Sequence, residues 1–229
     1  MASRLSDLLE AQNRFVADAS HQLRSPLTAL RLRLDNLEAG APGPSAEGIA
    51  AASREVNRLS RIVDGLLALG RAGVDTSRRG PVDAAAVIAE RCEAWSALAE
   101  EKGVQLQPQV PTGLALYTLL VPGDLEQMLD NLLANSLDAV AVGGRIGVSA
   151  RALDGRQVEV RVVDNGPGMS DEDRHRAFDR FWQGPAAGPG RSGLGLAIVR
   201  QLAGRNEATV ELLQAEPEGL DARLVLPAP

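Results

Sequence analysis

The chain is poor in the residues that carry most metal, redox and nucleic-acid chemistry. Its 229 residues include one cysteine, two histidines, one tyrosine, two tryptophans and three phenylalanines. A single Cys92 excludes an intrachain disulfide and a thiolate metal cluster, and it fits a reducing, cytoplasmic setting. No apolar run reaches the roughly 18 residues that mark a membrane span, and no signal peptide opens the chain. Any membrane tether is expected to come from segments absent from this chain. The net charge is −6, so the basic surface that neutralises nucleic-acid phosphate is not expected. With 45% apolar and 24% charged residues, what is left is an ordinary globular composition, enough for one large domain or two smaller ones.

What the sequence does have is periodicity. Over residues 4–39, apolar side chains recur at Leu5, Leu8, Val16, Ala19, Leu23, Leu27, Leu30, Leu34 and Leu37, mostly in steps of three and four. That spacing predicts a bundle-forming helix. GAPGPS (40–45) interrupts it, and Ile49, Ala52, Val56, Leu59, Ile62, Val63, Leu66 and Leu69 resume it over 46–72. Two long helices with a short connector form an antiparallel hairpin. Alone, the hairpin has too little surface to bury both stripes, so a homodimer joined as a four-helix bundle is expected. The layout is then a hairpin at 1–73, a polar linker at 74–80 (VDTSRRG) and a second domain at 81–229. The opening MASRLSDLLEAQ reads as a cut into a preceding helix.

Past Pro81 the texture changes. Helices are expected at 82–102, 124–142, near 171–177 and at 194–204. Strands are expected at 104–110, 114–121, 145–152, 158–164, 208–214 and 221–227, several with period-two alternation. Without regular βαβ alternation, the fold class is α+β, with helices on one face of a mostly antiparallel sheet.

Four clusters could carry chemistry. In SHQLRSPL, His21 falls off the apolar stripe of its helix, and Pro26 removes an N–H and crowds the carbonyl of Gln22. An accessible imidazole at a loosened turn can act as a nucleophile; an exposed surface histidine is the plainer reading of the same residues. In LEQMLDNLLANSLDAV, Asn131 and Asn135 share one helix face. Amide oxygens suit Mg²⁺, which keeps waters and substrate phosphates as further ligands; surface polarity reads equally well. VVDNGPGM sets Asp164, Gly166 and Gly168 at a strand end, fit to accept an amino-group hydrogen bond and to let backbone approach a ligand, or simply to turn tightly. GPGRSGLGLAIV places Gly193 and Gly195 before a helix whose free N–H groups can face phosphate; a flexible loop at a helix start is the alternative. Phe178, Phe181 and Trp182 read as anchors of a lid between the two glycine motifs. His175 reads as a solvated surface histidine, and Cys92 as a small core residue.

The order of these motifs is more specific than any one of them. FVADASHQLRSPLTAL, NLLANSLDAV, VDNGPGM, FDRFWQG and RSGLGLAIV resemble the H, N, G1, F and G2 boxes of bacterial two-component sensor histidine kinases, over about Arg14 to Pro227. The resemblance implies a dimerisation and phosphotransfer hairpin, then an α/β sandwich shared with gyrase, chaperone and mismatch-repair ATPases. It implies ATP and Mg²⁺ as cofactors, with autophosphorylation of His21 and transfer to an aspartate of a response regulator receiver domain. Asn135 and Asn131 are then the Mg²⁺ residues, and Asp164 reads the adenine amine. Gly166, Gly168, Gly193 and Gly195, with Arg191 and Leu194, line the nucleotide pocket and lid. The parent protein is expected to be anchored in the inner membrane, with this part in the cytoplasm.

Departures from the family pattern also bear on function. Gln22 follows His21 where an acidic base is usual, and Gln cannot accept that proton. Ser25 stands at the phosphatase position. Asp138 and Ala139 replace a frequent Lys–Tyr pair, leaving Arg180 or Arg191 to supply the cation. Gly190 is out of register, and GRNEATVEL lacks the usual glycine pair before its strand. An amide at Asn131 cannot activate water, which separates this reading from a hydrolytic ATPase of the same superfamily. A degenerate dimeric module that binds a regulator without catalysis is the other alternative.

Overall fold

A computed structural model describes Val56 and residues 78–110, 115–153, 156–184 and 192–229. His21, Gln22, Ser25, Arg191, Gly190 and, apart from Val56, the expected hairpin lie outside the described residues. The described residues from Arg78 to Pro229, Ser192 apart, belong to one compact unit.

That unit runs β1 (Gly80–Asp83), α1 (Ala84–Glu101), β2 (Gln105–Gln109), β3 (Tyr117–Leu120), α2 (Asp124–Ala139), β4 (Arg145–Leu153), β5 (Gln157–Asp164), α3 (Asp171–Arg176), α4 (Gly195–Arg205), β6 (Thr209–Gln214) and β7 (Leu220–Pro227). Strands β2, β4, β5, β7 and β6 form one sheet in that spatial order, while β1 and β3 pair separately. Only β2–β4 is parallel; the remaining pairs are antiparallel. Helix α2 packs against α1, α4 and β5. The expected α+β class, with helices on a mostly antiparallel sheet, is the observed one.

Alternation builds the sheet. Val148, Val162 and Ala222 align across β4, β5 and β7, as do Ala150, Val160 and Leu224. All six are buried, giving the continuous apolar face that period two predicts. Pro108 is tolerated because β2 is an edge strand. Two local expectations need correction. The helix expected from 82 starts at Ala84, because Val82 and Asp83 belong to β1 and Asp83 caps α1. Asp83 Oδ1 accepts from Ala85 N at 3.0 Å and from Leu116 N at 3.2 Å. The helix expected to reach 142 ends at Ala139, where Val140 turns extended (ψ 138°). β-Branched Val140 and Val142 with Gly143 and Gly144 give little reason to continue a helix.

The outer face of the sheet carries ion pairs. The Glu159 carboxylate, with only 2% of its side chain exposed, accepts from Arg151 Nε at 2.5 Å and Arg223 Nε at 2.6 Å. Asp221, equally covered, binds both Nε and Nη2 of Arg161. A trough of about 820 Å³ lies on this face, lined by Gln107, Gln109, Arg145, Arg161 and Asp221 among others.

Glu159→Gln should lower unfolding free energy at neutral pH by about 1–3 kcal/mol, the usual range for a hydrogen bond to a charged group. The bond from Arg151, then that from Arg223, holds the Glu159 carboxyl below the ordinary glutamate range. This contribution is complete above the unfolded glutamate pKa of about 4.3 and is lost as pH falls through the depressed folded value. Denaturant titrations at stepped pH should show the gap between wild type and variant closing in acid. A gap independent of pH would contradict the ion-pair account.

Candidate functional site

The site forms around the end of β5. Asp164 is 3% exposed, and three donors from three segments converge on its carboxylate. Oδ1 accepts from Gly166 N at 3.0 Å and Leu220 N at 3.2 Å. Oδ2 accepts from Ser136 Oγ at 2.8 Å. Through Oδ2 the carboxylate thus reaches α2, and Asp164 also borders the trough. Gly166 follows closely: a Cβ there would lie 3.1 Å from Asp164 Oδ1 and 3.4 Å from Ala139 O. Sequence patterns alone also allowed a simple tight turn; the burial and the long-range donors make it a packed polar junction.

Asn131 and Asn135 lie on one face of α2, as their spacing requires. Asn131 Nδ2 donates to Gln127 O at 2.8 Å. That commits the amino end of the amide to the helix and leaves Oδ1 for another partner. A Cβ on Gly195 would sit 3.1 Å from this oxygen. The amide oxygen thus faces the first residue of α4. Helix α4 begins at Gly195 with Leu194 as its N-cap and no capping side chain, so its first N–H groups have no side-chain acceptor. Among the described residues no cluster of three His, Cys, Asp or Glu could hold a metal. Two amide oxygens suit a divalent ion that draws its other ligands from water and phosphate, and the orientation of Asn131 fits that use.

The glycines are required by space as well as by torsion. Gly193 has φ +67°, and a Cβ there would meet the Phe181 backbone at 2.6 Å. Phe181 N donates to Gly193 O at 2.8 Å, while Phe181 itself sits at φ +63°, a strained setting for a bulky residue. Arg176 lies over the Trp182 ring at 6.0 Å and Arg200 over Phe178 at 5.7 Å. These contacts agree with reading the aromatics as anchors. Gly168 (φ +71°) packs on Gly219 O, 2.9 Å from its notional Cβ.

Gly219, Leu220 and Ser136 belong to the site, although sequence reasoning did not single them out. A Cβ on Gly219 would be 1.8 Å from Asp164 O. The pattern P-E-G before a strand was a visible turn signal; its contact with Asp164, far away in sequence, was not. The distal ends of α2 and α4 are also joined. Asp124 accepts from Arg205 Nε at 3.0 Å and from Asn206 Nδ2 at 2.6 Å, while Asn206 Oδ1 accepts from Val121 N at 2.7 Å.

The other candidates fall outside this cluster. Arg180 is exposed just after α3. Exposed His175 lies within hydrogen-bond distance of Asp171 O, at 2.6 Å from Nδ1. Cys92 is buried, and burial pushes its thiol up to about 11, which fits a core residue. Asp138, at the position noted for its missing cation, pairs with Lys102 at 2.8 Å.

Comparison with known proteins agrees with this geometry. The family described as histidine kinase-, DNA gyrase B- and HSP90-like ATPase matches residues 121–229, which include all the site elements above. The His Kinase A (phospho-acceptor) domain matches residues 11–74, around His21. Sensor protein kinase PmrB of Pseudomonas aeruginosa is 31% identical over 99% of this chain and 48% of its own length. The structure of full-length ShkA in complex with AMPPNP aligns with a TM-score of 0.65 at 25% identity, over 94% of this chain and 45% of that one. Histidine kinase ThkA, solved in complex with response regulator protein TrrA, shares the fold (TM-score 0.78, 18% identity, 99% of this chain and 64% of that one). The chain spans about half the length of the curated relatives it matches. The described unit is thus a catalytic domain of the kinase, gyrase and chaperone ATPase class. With its phospho-acceptor segment, the chain belongs to the two-component sensor histidine kinases.

Two glycine substitutions separate packing from propensity. Gly219→Ala should cost about 3 kcal/mol or more. Gly204→Ala, within α4 and with nothing within 4 Å of its notional Cβ, should gain up to about 1 kcal/mol. Thermal unfolding of both variants checks this; equal effects would mean that the Gly219–Asp164 contact is not close.

Proposed function

We propose that this chain is the kinase core of a two-component sensor, binding ATP with Mg²⁺ and phosphorylating itself on His21. A nitrogen of the neutral His21 imidazole attacks the γ-phosphorus. The N–P bond forms as the bond to the β,γ-bridging oxygen breaks, and ADP leaves. The phosphoryl group then passes to an aspartate carboxylate of a response regulator receiver domain. The observation that carries this reading is the presence, in one chain, of a segment matching a phospho-acceptor domain around His21 and a domain in which α2 meets the uncapped start of α4 through Asn131 and Asp164 through Ser136. The AMPPNP complex of ShkA and the response regulator complex of ThkA support the choice of nucleotide and partner.

Phosphoryl transfer asks the protein mainly for position and charge neutralisation. Asn131 and Asn135 would hold Mg²⁺, which neutralises phosphate charge when bound. Asp164 accepts from the adenine amino group, and the free N–H groups of α4, from Gly195 on, face phosphate. Residues 1–73 act as the dimerisation and phosphotransfer hairpin, 74–80 as linker and 81–229 as the catalytic domain. Two copies pair through the hairpin. Among the described residues no helix is long and apolar enough to cross a membrane, which is consistent with a cytoplasmic setting for this part of a membrane-anchored parent. Because the Asn131 amide cannot take a proton from water, phosphate goes to histidine in preference to hydrolysis.

Incubation with γ-labelled ATP and Mg²⁺ should label the wild type and leave His21→Ala unlabelled. The label should be lost in acid and kept in alkali, as for a phosphoramidate. Phosphate release faster than labelling would instead favour the hydrolytic ATPase.

Gln22 cannot accept the imidazole proton, which must leave to water. Gln22→Glu should therefore speed labelling by about tenfold or more, with ATP affinity unchanged. An equal or slower rate in a rapid-quench series would remove residue 22 from the proton path.

A further inference from the structure

We propose that Ser136 is a specificity-determining residue of the nucleotide site. By committing its proton to Asp164, it makes the base-reading end of the pocket a purely accepting surface. The inference rests on the adenine-nucleotide reading above.

Ser136 is 4% exposed and Asp164 3% exposed. Within a helix, a serine hydroxyl commonly bonds back to a carbonyl one turn earlier. Here it bonds instead to a carboxylate 28 residues along the chain, at 2.8 Å. A carboxylate can only accept, so the hydroxyl must donate. The two other donors at this junction, Gly166 N and Leu220 N, are committed to Oδ1 of the same carboxylate. An aspartate offers about four acceptor positions. Three are filled, and the one left is on Oδ2, beside the Ser136 oxygen, whose own lone pairs remain as acceptors.

This pair can receive hydrogen from a 6-amino purine: an N–H is directed to Oδ2, and the Ser136 oxygen, 2.8 Å away, adds a second acceptor beside that bond. A 6-oxo purine would bring an acceptor against acceptors and leave both sides unpaired, the arrangement that discriminates most strongly. Ser136 directly follows Asn135, so one turn of α2 carries both a metal-side amide and half of the base-reading pair. Removing the hydroxyl removes one acceptor and the bond that orients Oδ2. It should thus act on base choice more than on phosphate binding.

The test is equilibrium binding of Mg·ATP and Mg·ITP to the full chain, wild type and variants. Wild type should prefer ATP by about a hundredfold or more. Ser136→Ala should shrink that ratio about tenfold, mainly through weaker ATP binding. Ser136→Thr, which keeps the hydroxyl, should preserve it. If the Ala variant does not fold, Ser136→Cys, nearly isosteric and a poor donor, should show the same loss. A wild type that does not distinguish the two nucleotides, or variants that weaken both equally, would overturn the role of Ser136 and leave nucleotide binding intact. A wild type that binds neither nucleotide would overturn the nucleotide reading as well.

Discussion

The site depends on one buried carboxylate. Asp164 is held by a backbone N–H two residues on, a backbone N–H from the start of β7 and a side-chain hydroxyl from α2. Each donor comes from a different segment, and each would be costly to bury unpaired. The loop after β5, the β6–β7 turn and the C-terminal half of α2 are thereby brought into one register. Gly166 and Gly219 follow from that closeness, since a side chain at either would press on the Asp164 carboxylate or its main chain.

Helix α2 does two jobs along its length. Its middle presents Asn131 to the first residue of α4, and its C-terminal half presents Ser136 to Asp164. On the proposed reading, the residues that would meet phosphate and base are thus spaced by helical rise, about 1.5 Å per residue, with no loop between them. A helix is a stiffer ruler than a loop, which suits chemistry that depends on placement.

The elements set by short-range pattern were legible in the sequence. Alternation in β4, β5 and β7 and the amphipathic stripes of α2 and α4 are local properties, and so is the four-residue spacing of Asn131 and Asn135. The α+β class followed from the order of these elements. What escaped was set by distant partners. GPVD forms a strand only because Tyr117–Leu120 lies beside it. Ser136 looks like an ordinary helix-interior serine until Asp164 is brought next to it. Gly219 reads as a turn residue, and the meeting of Asp124 with Arg205 and Asn206 spans 81 and 82 positions. The helix end after Ala139 was misjudged because Val140 and Val142 continue an apolar pattern while favouring extended backbone. His21, Gln22, Ser25 and Arg191 lie outside the described residues, so their assignments rest on sequence and family.

The junction of Asp124 with Arg205 and Asn206 clasps the two site helices at the ends remote from Asn131 and Gly195. Helix α4 rises ten steps from Arg205 back to Gly195, roughly 15 Å in all. Small tilts about the clasp are magnified at the tip that would meet phosphate, as in a lever held at its fulcrum. Substitutions in this buried knot, far from any reacting atom, should therefore be felt as errors of aim.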